Sequence, residues 1–351
     1  MRAARGAYCV ASAAMDPLTS SLPLHAPLPT DVEGALAFAR ALGSDAPLPG
    51  SGRTAELLAL LTRLARHDLG VARTVEPHLD ALAILAEAGL APADVGVAPT
   101  AAWGVFAAEG GEEPLVARPD GDGWRLDGVK PWCSLADRLD AALVTAHVGE
   151  GSGERRLFAV GLRDGSAVPL EGAWHARGLA EIPSGPVRFS GAAAVPVGEA
   201  GWYLSRPGFA WGGIAVAACW YGGARGIGAV VAAAAARRDD PHLLAHLGAV
   251  DTALEAARRA LAEAAALVDG GAATGSAGAL LAKRTRASTA AACEEVLARA
   301  GRALGPAPLA LDEEHAKRVA DLALYVRQHH AERDDAALGR AVLASGGSTA
   351  W

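Results

Sequence analysis

The spacing of apolar residues changes twice along the chain, and these changes limit the folds that it can adopt. From Asp31 to about Leu90, apolar residues recur at helical spacing. Between Trp103 and Pro196, short apolar runs alternate with glycine-rich turn sequences, a pattern typical of strands. Helical spacing returns after Pro207. This order predicts an α+β fold in which a sheet lies between two helical parts.

The same patterns predict individual elements. Thr30 or Asp31 can cap the first helix. The predicted strands cover residues 115–118, 123–126, 141–146, 157–162 and 187–190. In the C-terminal half we expect helices over residues 243–268, 280–304 and 312–339, with a loop at 305–309.

Composition excludes several classes of protein. The net charge of −7 argues against a nucleic-acid surface. Four scattered cysteines without a CxxC pair indicate a reducing compartment and neither zinc nor disulfides. His242 and His246 are spaced to share a metal ion, but no third ligand is evident, so we expect no metal site.

An apolar run over residues 207–236 contains a single charge, Arg225. A central arginine is costly in a membrane, so the run predicts a buried helix of a bundle, and we expect no membrane partner. Residues 222–228 are rich in glycine without matching GxGxxG, which favours close helix packing. We expect Met15 to be the natural start, although the residues before it could also form a weak signal peptide.

The segment from Gly128 to Ala136 has residue types that suit a flavin. It places an indole, Trp132, two residues before a hydroxyl, Ser134. In a strand, residues two apart point to the same face. Such a pair could cover a planar heterocycle and hydrogen-bond its edge. The segment alone also fits a buried tryptophan at a strand end, with the serine in a turn.

Together with its surroundings, this segment resembles the acyl-CoA dehydrogenase family of flavoproteins. The resemblance covers about residues 32–340 and rests on the segments 103–109, 121–130, 140–146 and 185–189. It implies a helical N-terminal domain, an all-β middle domain and a C-terminal four-helix bundle, with FAD between sheet and bundle.

The resemblance also implies domain boundaries and site residues. The expected domains are residues 31–98, 99–200 and 205–345, preceded by a disordered extension, residues 1–30. The family's aromatic and hydroxyl residues beside the flavin correspond to Trp132 and Ser134, so Trp132, Cys133 and Ser134 are expected to bind the cofactor. Ala107 and Ala108 correspond to the segment whose backbone meets flavin and acyl thioester.

The sequence departs from the family at three places. Ala108 replaces a threonine, and Glu112 and Glu113 replace residues that serve the flavin phosphates. The segment that holds the adenine end of the flavin in the family is also replaced. Neither position of the family's catalytic base, near Gly212–Gly213 or near His329, offers a carboxylate.

Histidine has a pKa suited to a base near neutral pH, so His329 is the predicted base, with Glu332 one turn away. The alternative is that both residues belong to a solvated helical face.

These observations predict an FAD-dependent oxidoreductase that acts on the CH–CH group of an acyl thioester such as an acyl-CoA. We expect a cytoplasmic homodimer or homotetramer that is slow with simple saturated acyl-CoA substrates. The missing carboxylate favours one alternative, a flavin-dependent monooxygenase on the same fold. The altered phosphate and adenine segments favour another, a non-catalytic binding or scaffold protein that has lost flavin.

Overall fold

A computed structural model describes residues 27–149, 153–172 and 174–346. Helices come first along these residues, then a sheet, then helices again. This order confirms the predicted α+β class. Most of the predicted extension, residues 1–26 including Met15, lies outside the described residues.

Three α-helices precede the sheet: α1 (Val32–Leu42), α2 (Thr54–His67) and α3 (Leu69–Glu87). Asp31 caps α1 by accepting a hydrogen bond from the backbone N–H of Gly34, as the sequence suggested. Asp68 ends α2 and caps α3 through the N–H of Val71. The two helices therefore meet at one sharp corner.

The sheet closes on itself. Its strands are β1 (Trp103–Phe106), β2 (Val116–Asp120), β3 (Gly123–Lys130), β4 (Ala141–Val148), β5 (Arg155–Gly161), β6 (Ala167–Pro169) and β7 (Val187–Val197). The pairings β4–β2–β3–β7–β5–β4 form a ring, with β1 added to β4 and β6 added to β7. All five predicted strands are present. Each of them extends beyond the predicted bounds at one end, because the residues there still pair across the sheet.

β3 bends just before its end. The register shifts between Leu126 and Asp127, and Gly128 has φ of 121°. A Cβ at Gly128 would lie 2.3 Å from the carbonyl oxygen of Pro114, so only glycine fits here. The bend fixes how the chain leaves the sheet toward Trp132.

The remaining helices form the C-terminal part. They are α4 (Trp202–Ser205), α5 (Pro207–Ala235), α6 (Pro241–Asp269), α7 (Gly275–Leu304), α8 (Pro306–Leu311), α9 (Glu313–Tyr325) and α10 (Glu332–Ala344). The long helix α5 is central and contacts α2, α3, α6, α7 and α9.

Glycines let α5 approach its neighbours closely, as predicted for residues 222–228. A Cβ at Gly222 would lie 2.4 Å from the carbonyl oxygen of Thr62, and one at Gly223 would lie 2.6 Å from Leu69 Cδ1. Within the described part of the chain, α5 alone is long and apolar enough to cross a membrane, and 78% of its most apolar window is buried. The predicted buried helix is therefore confirmed.

Two predictions for the C-terminal half are wrong. The predicted loop 305–309 mostly belongs to α8, because Pro306 takes the first helical position, where a proline is tolerated. The predicted helix 312–339 is two helices. The chain leaves α9 after Tyr325 in a 3₁₀ turn, and Ala331 adopts φ of 43° before α10.

Candidate functional site

A groove with a volume of about 680 Å³ opens beside the end of β3. Its walls come from the loop 110–113, the turn at Pro131–Trp132, residues 174–176 and 184–186, and Leu324 of α9. This volume lies within the range of small-molecule sites.

Trp132 provides an aromatic wall of the groove. Its φ of 59° is left-handed, so the chain turns after Lys130 and does not continue as a strand. The side chain is 60% exposed. It meets Trp174 edge-on, with ring centroids 6.4 Å apart and planes at 89°. Because the segment is not extended, the prediction that Trp132 and Ser134 share one strand face is wrong.

Ser134 and Cys133 are buried behind this wall. The Ser134 hydroxyl accepts a hydrogen bond from Arg73 Nη2 at 2.8 Å and lies 2.7 Å from the hydroxyl of Ser184, which lines the groove. The Cys133 N–H donates to the carbonyl of Gly185, and burial raises the pKa of its thiol to about 12. The structure thus puts Trp132 in the groove wall and Cys133 and Ser134 behind it, and their contacts with a cofactor stay predictions.

The chain emerges from β1 at Ala107 and Ala108 and enters an exposed loop. In the described part of the chain, none of the backbone N–H groups of residues 108–113 donates a hydrogen bond. Those of residues 110–113, which line the groove, are available to an acceptor there. The contact predicted for Ala107 and Ala108 also stays a prediction.

Glu109 lies among cationic side chains in this loop. Its carboxylate is 2.8 Å from Lys130 Nζ, 3.2 Å from Arg155 Nη1 and 3.3 Å from His147 Nε2. Burial acts to raise the pKa of Glu109, but the hydrogen bonds from Lys130 and Arg155 outweigh it and lower the pKa. Glu109 is therefore ionised at neutral pH, and its ion pairs connect the loop to strands β3, β4 and β5.

His329 and Glu332 lie beyond α9 and do not line the groove. The His329 side chain is 11% exposed, with Nε2 3.9 Å from a carboxylate oxygen of Asp335. Burial lowers the pKa of His329, and nearby Arg286 acts in the same direction. Glu332 is exposed in the first turn of α10. Their catalytic roles stay predictions.

A row of charges on α3 was missed by the sequence analysis. Arg73, Glu76, Asp80 and Glu87 are spaced so that they share one helix face. Glu76 is only 7% exposed. The signal in the sequence is the helical spacing of charges within an otherwise apolar helix, a pattern that more often marks a solvent-exposed face.

Glycines on α5 make room for the carboxylates of this row. A Cβ at Gly208 would lie 2.2 Å from Glu87 Oε2, and one at Gly212 would lie 2.9 Å from Asp80 Oδ1. Buried Arg206 donates to Glu87 at 2.7 Å and lies 4.0 Å from Asp80. The contact between α3 and α5 is therefore polar at Asp80 and Glu87.

Arg286 of α7 bonds the backbone next to both positions that correspond to the catalytic base in the acyl-CoA dehydrogenase family. Its guanidinium donates to the carbonyl of Gly213 at 3.0 Å and to the carbonyl of Gln328 at 2.9 Å. It also lies over the ring of Trp220, 4.6 Å from the centroid. Residues near Gly213 and His329, far apart in sequence, thus meet around one cation.

A lysine anchors the loop that covers one side of the groove. Lys317 Nζ lies 2.7 Å from Asp321, 2.7 Å from Glu181 and 3.0 Å from Asp68. Asp321 also accepts a hydrogen bond from the N–H of Leu179 at 2.6 Å. The three carboxylates are close enough to hold a metal ion, but Lys317 already supplies their positive charge.

We expect Lys317→Met to lower the free energy of unfolding by about 1–3 kcal/mol. The substitution leaves three neighbouring carboxylates without a cation, and the partial exposure of Lys317 limits the loss. Chemical denaturation measures the change. The control is Lys283→Met on α7, which should have little effect. Equal stability of the two variants would contradict this role of Lys317.

No family model matches the sequence, and no curated protein matches it. Solved structures do match. KijD3, in complex with FMN and dTDP-3-amino-2,3,6-trideoxy-4-keto-3-methyl-D-glucose, is 20% identical with a TM-score of 0.73, over 88% of this chain and 86% of that one. FMN-bound TdsC from Paenibacillus sp. A11-2 is 16% identical with a TM-score of 0.74, over 90% of both chains.

Butyryl-CoA dehydrogenase from Megasphaera elsdenii is also similar, at 16% identity and a TM-score of 0.73 over 89% of both chains. The chain therefore has the acyl-CoA dehydrogenase fold. This confirms the fold that the sequence resemblance implied. The same fold carries a dibenzothiophene monooxygenase, TdsC, as well as a dehydrogenase.

Proposed function

We propose that the protein is a flavin-dependent oxidoreductase whose flavin ring lies in the groove beside Trp132. The observation that carries the proposal is the large, exposed indole of Trp132 in a groove of about 680 Å³. An exposed aromatic wall in a concave site is what a planar ligand requires.

The residues of the groove fit a flavin. Trp132 and Trp174 offer apolar surface to the ring, and the exposed N–H groups of residues 110–113 can hydrogen-bond its polar edge. A flavin in this place would supply electron or hydride transfer. The protein would orient it through the groove wall that Ser134, Ser184 and Lys317 hold in position.

FAD is the cofactor that the sequence resemblance implies, and FMN is the alternative supported by the FMN-bound KijD3 and TdsC structures. Glu112 and Glu113 lie at the rim of the groove, and Glu113 pairs with Arg188 at 2.9 Å. Two carboxylates at the rim disfavour a pyrophosphate there. The relative affinity for FMN and FAD distinguishes the two cofactors.

Among flavin reactions, we favour oxygenation of a small polar molecule over dehydrogenation of an acyl-CoA. Neither position that corresponds to the catalytic base of the resembled family holds a carboxylate in this chain, so the α-proton of an acyl thioester lacks the acceptor that dehydrogenation uses there. Dehydrogenation is the second candidate, because the buried carboxyl group of Glu76 lies near Arg286, and Arg286 bonds the backbone at Gly213 and Gln328, next to the two base positions of the family.

The visible spectrum of the purified protein, before and after incubation with FMN or FAD, tests the proposal. A bound flavin supports an oxidoreductase, and no binding under either condition would favour the scaffold alternative. Assembly as a homodimer or homotetramer and cytoplasmic location stay predictions.

Anaerobic mixing of the flavin-loaded protein with butyryl-CoA then separates the two reactions. We expect little bleaching of the flavin, because neither family position supplies a carboxylate base within about 3 Å of a substrate proton. Rapid bleaching would favour dehydrogenation. In that case His329→Ala and Glu76→Gln would identify the base, with exposed His330→Ala as the control.

A further inference from the structure

Residues 109–113 form a strap, of which residues 110–113 line one side of the groove. The strap lies between the end of β1 at Phe106 and the start of β2 at Val116, and all of its residues are exposed. In the described part of the chain, no backbone hydrogen bond joins residues 110–113 to any other residue. The strap therefore lacks the backbone pairing that holds the neighbouring strands.

The strap also has little packed behind it. Gly110 and Gly111 line both the groove and a second cavity, whose volume is about 150 Å³. This cavity is large enough for several waters, and the rest of its wall includes Leu115, Lys130 and His147. The strap is thus a thin wall between two spaces, and side-chain packing does not fix its position.

Ion pairs hold the strap at both ends. At one end, the Glu109 carboxylate pairs with side chains of β3, β4 and β5. At the other end, the carboxylate of Glu113 lies 2.9 Å from Arg188 Nη1 of β7. Glu112 lies between these ends and, among the described residues, has no ion pair. The position of the strap therefore depends on the charges of Glu109 and Glu113.

The two ends are not equally firm. The side chain of Lys130, which pairs with Glu109 at 2.8 Å, is only 3% exposed, so solvent and salt screen its charge little. Both members of the Glu113–Arg188 pair are about half exposed, and such surface pairs contribute little. Glu109 is accordingly the main tether of the strap.

We propose that Glu109 is a positioning residue for the flavin, because its ion pairs hold the strap where the free N–H groups of residues 110–113 meet the polar edge of the ring. This inference rests on the proposed function, because it concerns how the same groove holds its cofactor. If the tether is lost, flavin binding has to order the strap, and the affinity falls by that cost.

Limited proteolysis of the flavin-free protein tests the tether without any cofactor. A glutamate-specific protease cleaves after Glu112 only when the strap leaves its place, because cleavage requires local opening of the chain. We expect Glu109→Gln to be cleaved there about tenfold faster than the wild type, with the site identified from fragment masses. Cleavage after Glu332, in the first turn of α10, is the internal control and should be equal in both proteins.

Titration with FMN and with FAD then tests the effect on the cofactor site. We expect Glu109→Gln to raise the Kd of the flavin about tenfold. At saturating flavin, its absorption bands should also differ from those of the wild type, because hydrogen bonds at the polar edge of the ring are altered. Glu112→Gln removes the same charge from the same strap without breaking an ion pair. It should bind FMN as tightly as the wild type or more tightly, since a carboxylate at the rim repels the phosphate.

A second variant separates the tether from general stability. Glu109→Gln leaves the buried ammonium of Lys130 without a carboxylate, which destabilises the fold. Combining it with Lys130→Met removes both charges and should restore much of the stability. Faster cleavage after Glu112 and weaker flavin binding should persist in the double variant, because the strap is still untethered.

Unchanged cleavage after Glu112 in Glu109→Gln, or a return to wild-type flavin affinity in the double variant, would overturn the proposal. A wild type that binds neither flavin would refute the proposed function, whatever the rates of cleavage. Flavin binding by the wild type with equal affinity in Glu109→Gln would refute only this inference.

Discussion

Replacing Gly222 by alanine is expected to lower the free energy of unfolding by about 1–3 kcal/mol. The new Cβ would lie 2.4 Å from the carbonyl oxygen of Thr62, so α2 and α5 would have to separate. The backbone of α2 cannot move aside as a flexible side chain could. Denaturant unfolding measures the loss, and the slope of the free energy of unfolding against denaturant concentration should be the same in both proteins.

Gly248→Ala in α6 is the matched control. Gly248 is also inside a long helix, but nothing lies within 4 Å of a Cβ built there. Alanine should therefore stabilise this position by about 0.5–1 kcal/mol through its helix propensity. If both variants were stabilised, the close packing of α2 on α5 would be refuted.

Glu76→Gln is expected to stabilise the protein at high pH by about 2–4 kcal/mol. The native pKa of Glu76 is raised from 4.5 to about 8, chiefly by burial. Between these values the native state keeps a proton that the unfolded state releases, so the stability of the wild type falls as pH rises through this window. Glutamine mimics the protonated form and removes that dependence.

Glu87→Gln is the control, and we expect it to destabilise the protein. Glu87 accepts hydrogen bonds from Arg206 at 2.7 Å and from the N–H of Gly208 at 3.0 Å. Its loss leaves the buried guanidinium of Arg206 with a weaker partner, and the variant should be less stable at neutral pH. Unfolding curves at pH 5 and pH 9 test both variants. Parallel pH dependence of Glu76→Gln and the wild type would show that Glu76 does not hold its proton.

The fold could be predicted from sequence wherever apolar spacing decides the structure. The five predicted strands and the buried helix α5 are confirmed because each has a continuous apolar pattern that the tertiary structure preserves. The break between α9 and α10 was missed because both halves keep helical spacing. A 3₁₀ turn over Val326–Gln328, the extended backbone of His329 and the left-handed backbone of Ala331 separate them.

The candidate site was only partly predictable. Trp132 was found by its resemblance to a known segment, but its left-handed φ cannot be read from residue types. The charged row on α3 depends on Gly208 and Gly212 of α5, which are more than a hundred residues away in sequence. Arg286 and Lys317 similarly act across elements that only the tertiary structure brings together.

Titration of the flavin-free protein with FMN and with FAD tests the central claim most directly. Trp132→Ala removes the aromatic wall, and Trp124→Ala is the control, because Trp124 packs against Phe158 outside the groove. We expect the wild type and Trp124→Ala to bind one flavin with similar Kd, and Trp132→Ala to bind it about tenfold more weakly. Failure of the wild type to bind either flavin, or equal binding by Trp132→Ala, would contradict the assignment of the groove as a flavin site.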